Sequence, residues 1–148
     1  MDWVELTGRV LVEAASASSE DIVCWVGDPT GSDILAAKVR LLVRAPDAPG
    51  VSILVLHHWL RHHTPDEQRR TFARAAATLP ERGLLLVGDV MWSLPFDQLD
   101  EPEQFGPELQ HVQTTATLER WAREAGFLPD LHRFGPGVGV LVTIRGPK

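Results

Sequence analysis

The chain alternates short apolar runs with stretches whose apolar positions recur at helical spacing. Residues 4–15 set Val4, Val10, Leu11, Ala14 and Ala15 among Glu5, Arg9 and Glu13, which predicts a leading amphipathic helix. Asp21 to Val26 is a compact run rich in β-formers that ends abruptly at Gly27-Asp28-Pro29-Thr30-Gly31, so it reads as a buried strand entering a tight loop. Ser32 is placed to cap a short helix through Ile34, Leu35, Ala36 and Ala37. A second strand follows over Val39 to Val43, and Pro46 to Gly50 close it. Val51 to Leu56 is a third apolar strand, leading into the polar cluster His57-His58-Trp59-Leu60-Arg61-His62-His63.

The clearest helix start is Thr64-Pro65-Asp66-Glu67: a hydroxyl at the N-cap, proline at the first helical position and a carboxylate three residues on. That helix is predicted to run to about Leu79 and to bury Phe72, Ala76 and Leu79. After Pro80 to Gly83 comes a strand over Leu84 to Val90, and then a polar, proline-containing insertion from Trp92 to Pro107. Leu118, Trp121, Ala122 and Ala125 recur at helical spacing before Gly126, which suits a left-handed cap, so 115–125 is predicted helical. Leu131 to Phe134 and Val138 to Ile144, joined by Gly135-Pro136-Gly137, read as a closing antiparallel hairpin.

This order predicts an α/β fold. We expect a mostly parallel Rossmann-like sheet of about six strands with helices on both faces and the strand at Asp21 to Val26 near the middle. At 148 residues and 44% hydrophobic content the chain fits one domain, 1–148. A net charge of -6 argues against nucleic acid as partner, because such binding draws on Lys and Arg neutralising phosphates. No apolar run approaches the roughly 20 residues that span a bilayer, and Cys24 has no partner for a disulfide. We therefore expect a cytoplasmic protein.

Ligands of open α/β sheets lie outside the carboxyl ends of the strands. That rule makes His57 and His58, after the third strand, and Asp89 and Trp92, after the fourth, the candidate catalytic group, with either histidine as base and Asp89 orienting it. His58 and His62 stand four apart, but no acid or thiol accompanies them, so no metal site is expected. Cys24, inside an apolar strand, reads as core.

Four segments in the right order resemble the class I S-adenosylmethionine (SAM) dependent methyltransferase family, in the branch acting mostly on small molecules. Val23 to Gly31 is similar to its first motif, an apolar strand running into a glycine-rich loop. Val51 to Trp59 resembles its fourth strand with a His-His ending. Leu79 to Val90 is similar to the next helix end, glycine turn and strand, with Asp89 as its acid, and Trp121 to Phe127 to the helix and turn before the closing hairpin. The resemblance implies SAM as cofactor, held by Gly27, Asp28, Thr30 and Gly31, and a small-molecule substrate.

The chain also departs from the pattern. Only 19 residues lie between Gly31 and Val51, where the family holds two strands and two or more helices, so a strand-helix unit is missing and the domain is shortened. Pro29 stands at the middle glycine of the loop and Trp25 where an acid is usual. The acid that would hold the ribose has Asp47 as its only nearby counterpart. Those departures leave an alternative to catalysis: an inactive binding or oligomerisation module, with a protein partner or a homodimer in place of the substrate. The amino-group methyltransferase motif of the Asn-Pro-Pro-Tyr type is absent, in keeping with the acidic charge.

Overall fold

The computed structural model describes residues 3–43, 50–91, 111–135 and 138–147. Its elements, in chain order, are α1 (Trp3–Ala15), β1 (Ile22–Gly27), α2 (Ser32–Ala36), β2 (Arg40–Leu42), β3 (Ile53–His57), a 3-10 turn (Leu60–His62), α3 (Pro65–Thr78), β4 (Leu84–Val90), α4 (Thr115–Ala125), β5 (Phe127–Gly135) and β6 (Val138–Arg145).

The strands form one six-stranded sheet in the order β2-β1-β3-β4-β6-β5. The first four in that order are mutually parallel, β6 runs antiparallel to β4, and β5 antiparallel to β6. This is the expected Rossmann-like α/β sheet with an antiparallel carboxyl-terminal hairpin. One placement differs from expectation. β1 is second from the edge rather than near the middle, because only the three-residue β2 lies outside it.

Strand period explains how both faces are covered. Alternate residues point to opposite sides. Val23, Trp25, Ile53, Val55 and Leu86 therefore pack with Leu11 and Ala15 of α1 and Leu35 of α2. Cys24, Leu54, Leu56, Leu85 and Val87 pack on the other side with Phe72, Ala75 and Ala76 of α3 and with Leu118, Trp121 and Ala122 of α4. Leu79 is buried with this second group, as predicted.

The helix ends follow local chemistry. Thr64 caps α3, its hydroxyl accepting from the Glu67 amide at 3.3 Å. Gly126 ends α4 in the left-handed conformation at φ 101°. The expected Ser32 cap of α2 is not formed: Gly31, at φ 99°, holds the N-cap position, no side chain caps it, and Ser32 is already the first helical residue. β5 also starts four residues earlier than the predicted Leu131, running straight out of the Gly126 turn.

Arg145 joins three elements below the hairpin. Its Nε donates to the carbonyl of Ala76 at 3.0 Å and its guanidinium to that of Gly126 at 3.1 Å, while its backbone pairs with Arg82 and Gly83. Among the described residues no helix is long and apolar enough to cross a membrane.

Two stability effects are expected in chemical denaturation. Thr64→Ala loses the cap and should cost about 1 kcal/mol. Arg145→Ala leaves the Ala76 and Gly126 carbonyls without their charged donor and should cost about 2 kcal/mol; an unchanged midpoint would show that water replaces the guanidinium.

Candidate active site

The carboxyl ends of β1, β3 and β4 converge on one edge of the sheet. β1 turns at Gly27, whose φ of 99° suits glycine; a Cβ there would run into the carbonyl of His57 and come within 3.0 Å of Trp59 Cβ. The parallel ladder continues past the strand ends, with the Asp28 amide donating to the His57 carbonyl and the His58 amide to that of Gly88, both at 2.8 Å.

The loop after β1 satisfies itself. Asp28 Oδ1 accepts from the Thr30 amide at 2.9 Å, an Asx-type turn across Pro29, and the Ser32 amide donates to the Pro29 carbonyl at 2.9 Å. Pro29 has no N–H. The carbonyl of Asp28 accepts twice, from the Trp25 indole at 2.6 Å and from His57 Nδ1 at 2.9 Å. Trp25, a departure from the family pattern in the sequence, is thus a buried clamp on this turn, meeting the His57 ring edge to face at 5.6 Å. From the other side α1 presses its backbone onto the loop: a Cβ on Gly8 would overlap the Thr30 carbonyl, and one on Gly31 would lie 3.1 Å from the Gly8 backbone.

His57, His58 and Asp89 are brought together and buried, at 0%, 8% and 2% exposure. The histidine rings lie 5.0 Å apart, and His58 Nδ1 is 3.5 Å from Asp89 Oδ1. The stronger partner of Asp89 is Arg61, whose guanidinium reaches Oδ1 at 2.6 Å and whose amide donates to Oδ2 at 3.3 Å; the Val90 amide adds a bond to Oδ1 at 2.7 Å. The same guanidinium nitrogen touches His58 Nδ1. Sequence reasoning missed Arg61, although it stands only three residues after His58 in the polar cluster that follows β3.

Hydrogen-bond roles fix the neutral tautomers. A carbonyl only accepts, so His57 carries its proton on Nδ1, toward Asp28. A guanidinium only donates, so His58 accepts at Nδ1 and carries its proton on Nε2. The Nε2 atoms of both rings are buried without a hydrogen-bond partner among the described residues.

Burial pushes His57 below its ordinary value, opposed by the Asp28 and Val4 backbones and the Asp28 and Asp89 carboxylates. Burial takes His58 down to about 4; Asp89 opposes this, while Arg61 and His57 reinforce it. Burial works against charge on Asp28, but the Thr30 hydroxyl and amide, with His57 and His58, outweigh it and hold the carboxyl below its usual range.

Within this loop Asp28 meets His57 twice, its amide donating to the His57 carbonyl and its own carbonyl accepting from His57 Nδ1. Asp47 and Trp92 lie outside the described residues. Among the described residues no three His, Cys, Asp or Glu side chains come together as metal ligands.

No protein-family model and no curated protein matches the sequence. Solved structures do resemble it. The SAM-dependent methyltransferase SibL in its apo form superposes with a TM-score of 0.71 at 16% identity, over 98% of this chain and 56% of its own. Human N-acetylserotonin methyltransferase in complex with SAM gives 0.74 at 12%, over 96% and 52%. SAM-bound CalS10, an amino pentose methyltransferase from Micromonospora echinaspora, gives 0.70 at 11%, over 98% and 92%. The chain thus spans about half the length of the first two and nearly all of the third. The described residues have the fold of the class I SAM-dependent methyltransferases.

Two buried neutral histidines make stability depend on pH. The unfolded chain protonates His58 near 6.5 and the folded chain only near 4, so between those values the unfolded state binds more protons and stability rises with pH. The contribution is full above about 6.5 and should fall by on the order of 3 kcal/mol by pH 4. Denaturation midpoints across that range should show the slope, and His58→Gln should flatten it; equal slopes in the two proteins would remove His58 from the account.

Proposed function

We propose that this chain, taken as one shortened domain over 1–148, binds SAM at the turn of Gly27 to Gly31 and serves methyl transfer to a small molecule at the same edge of the sheet. The observation that carries this reading is the meeting of an exposed glycine-bounded turn with the buried His57, the Asp28 carbonyl accepting from its Nδ1 and the Asp28 amide donating to its carbonyl. The solved neighbours described above, two with SAM bound, support the choice of cofactor.

The residues fit the cofactor on one side. SAM carries an ammonium and a sulfonium, and the ionised Asp28 carboxylate and the Thr30 hydroxyl are acceptors suited to that cationic part. Its carboxylate needs donors, and the amides of Asp28, Thr30 and Ser32 are already engaged while Pro29 offers none. Gly27 and Gly31 shape the turn, and Asp47 is assigned the ribose contact.

When bound, SAM supplies a methyl group on a sulfonium, whose transfer needs chiefly alignment and a base only where the acceptor must lose a proton. That base is His57. Its Nε2 holds the lone pair, while the Nδ1 proton stays directed at the Asp28 carbonyl. The contact of Arg61 with the His58 lone pair favours His57 over His58 for the role, with Asp89 acting through Arg61 to hold His58 in place. A cytoplasmic setting belongs to the same proposal, and a homodimer to the second reading below.

One observation favours a second reading. The amides of Asp28, Thr30 and Ser32 are already bonded within the protein and both histidines are packed away, as in a domain kept for binding or oligomerisation without catalysis.

Calorimetric titration with SAM and with its demethylated product separates the two. We expect SAM to bind no tighter than the high micromolar range, near about -5 to -6 kcal/mol. Pro29→Gly should tighten binding, and Asp47→Ala should weaken it. Low-micromolar affinity in the unmodified protein would mean that other residues supply the donors. No heat with either ligand would leave the second reading standing.

A further inference from the structure

One flank of α3 carries a groove that the proposed function does not use. Glu67, Arg70, Thr71 and Arg74 recur at i, i+3, i+4 and i+7, which places them in one stripe along the helix. Facing the stripe, the rings of Trp59 and His63 lie against each other with centroids 3.8 Å apart and planes 31° from parallel, and His63 Nδ1 donates to the Trp59 carbonyl at 2.9 Å. These six residues line a cavity of about 360 Å³, the size of a small organic ligand.

Several exposed arginines are paired, Arg9 with Glu5, Arg69 with Glu124 across to α4 and Arg123 with Glu119, while others, such as Arg40 and Arg82, have no ion pair among the described residues. Arg70 and Arg74 have no ion pair among the described residues, and Arg70 makes only a 3.3 Å bond from Nε to the Asp66 carbonyl. In a chain of net charge -6, two uncompensated guanidiniums four residues apart beside a stacked aromatic pair form a local cationic site with an apolar wall.

We propose that this groove binds a flat aromatic anion, an aryl carboxylate or aryl phosphate. Its ring lies along the Trp59–His63 pair and its anionic group between Arg70 and Arg74. Guanidiniums match the paired oxygens of carboxylate and phosphate, and indole and imidazole faces give planar apolar contact. Glu67, at the amino end of the stripe, repels the anion and so sets the ligand's direction, with charge toward Arg74. The proposal is independent of SAM, and its test contains none.

The test is an NMR titration of the full chain with 1-naphthoate, 1-naphthyl phosphate and the neutral 1-naphthamide, following the Trp59 indole and His63 ring signals. We expect both anions to give saturable shifts at those two residues and to bind at least about fivefold tighter than the amide. Arg70→Gln/Arg74→Gln, on an exposed helix flank where folding should be undisturbed, should weaken naphthoate binding by about tenfold or more. The ratio of the two anions' affinities identifies which group the site prefers. The proposal is overturned if the amide binds as tightly as naphthoate, if the double variant binds naphthoate like the unmodified chain, or if the shifts fall elsewhere.

Discussion

The ion pair of Arg61 with Asp89 organises the carboxyl edge of this sheet. Both side chains are largely removed from water, and breaking such a pair by deleting one partner costs about 3–5 kcal/mol because the other charge is left buried. The chain leaving β3 is shaped to make the pair. His58 takes a positive φ of 50°, an unfavourable choice for a residue with a Cβ, and the 3-10 turn then swings Arg61 back over β4. Only after that turn does α3 begin, anchored by Gln68, whose buried amide donates to the carbonyls of His63 and His111. The tautomer of His58 thus depends on where one guanidinium lies, while Gln68 ties the start of α3 to the return of the chain at residue 111.

Features with a local cause were legible in the sequence. The cap at Thr64, the αL stop at Gly126 and the two-faced burial of β1, β3 and β4 each follow from neighbours within a few residues, and the structure has them where the pattern put them. Contacts between distant segments were not legible. Nothing in the helical pattern of α1 says that Gly8 lies against Thr30, and nothing near Trp25 says that its indole finds the Asp28 carbonyl. Gly31 displaced Ser32 at the start of α2 for the same reason, since the close approach of α1 favours glycine there. Of the candidate site, the residues that converge were readable from strand ends; their burial and the intervention of Arg61 were not.

The short passage from Gly31 to Val51 explains the asymmetry of the molecule. With 19 residues the chain has room for five residues of α2 and three of β2 before it must return across β1 to start β3. β1 is consequently one strand from the edge, and its loop stands at the surface, with Gly27, Pro29 and Thr30 exposed. The opposite end of the sheet is complete: β5 and β6 pair over their length and Arg145 ties them to α3 and α4. The shortening therefore falls on the β1 side of the sheet, although β1 and β3 still supply residues to the core on both faces.

This places the weight of any cofactor site on the loop itself. Pro29 has no amide hydrogen, and the amides of Asp28, Thr30 and Ser32 are occupied, which changes the energetics of binding. A carboxylate arriving at Thr30 or Ser32 does not gain a new hydrogen bond; it displaces Asp28 or the Pro29 carbonyl from one, and the exchange returns only the difference between two bonds of similar strength, where a free charged contact would contribute about 1.5 to 3 kcal/mol. Displacing the Asp28 carboxylate also costs the turn that it closes, while its carbonyl remains bound by Trp25 and His57. The loop is thus held by its own hydrogen bonds, and the bonds that close the turn compete with any carboxylate that approaches it.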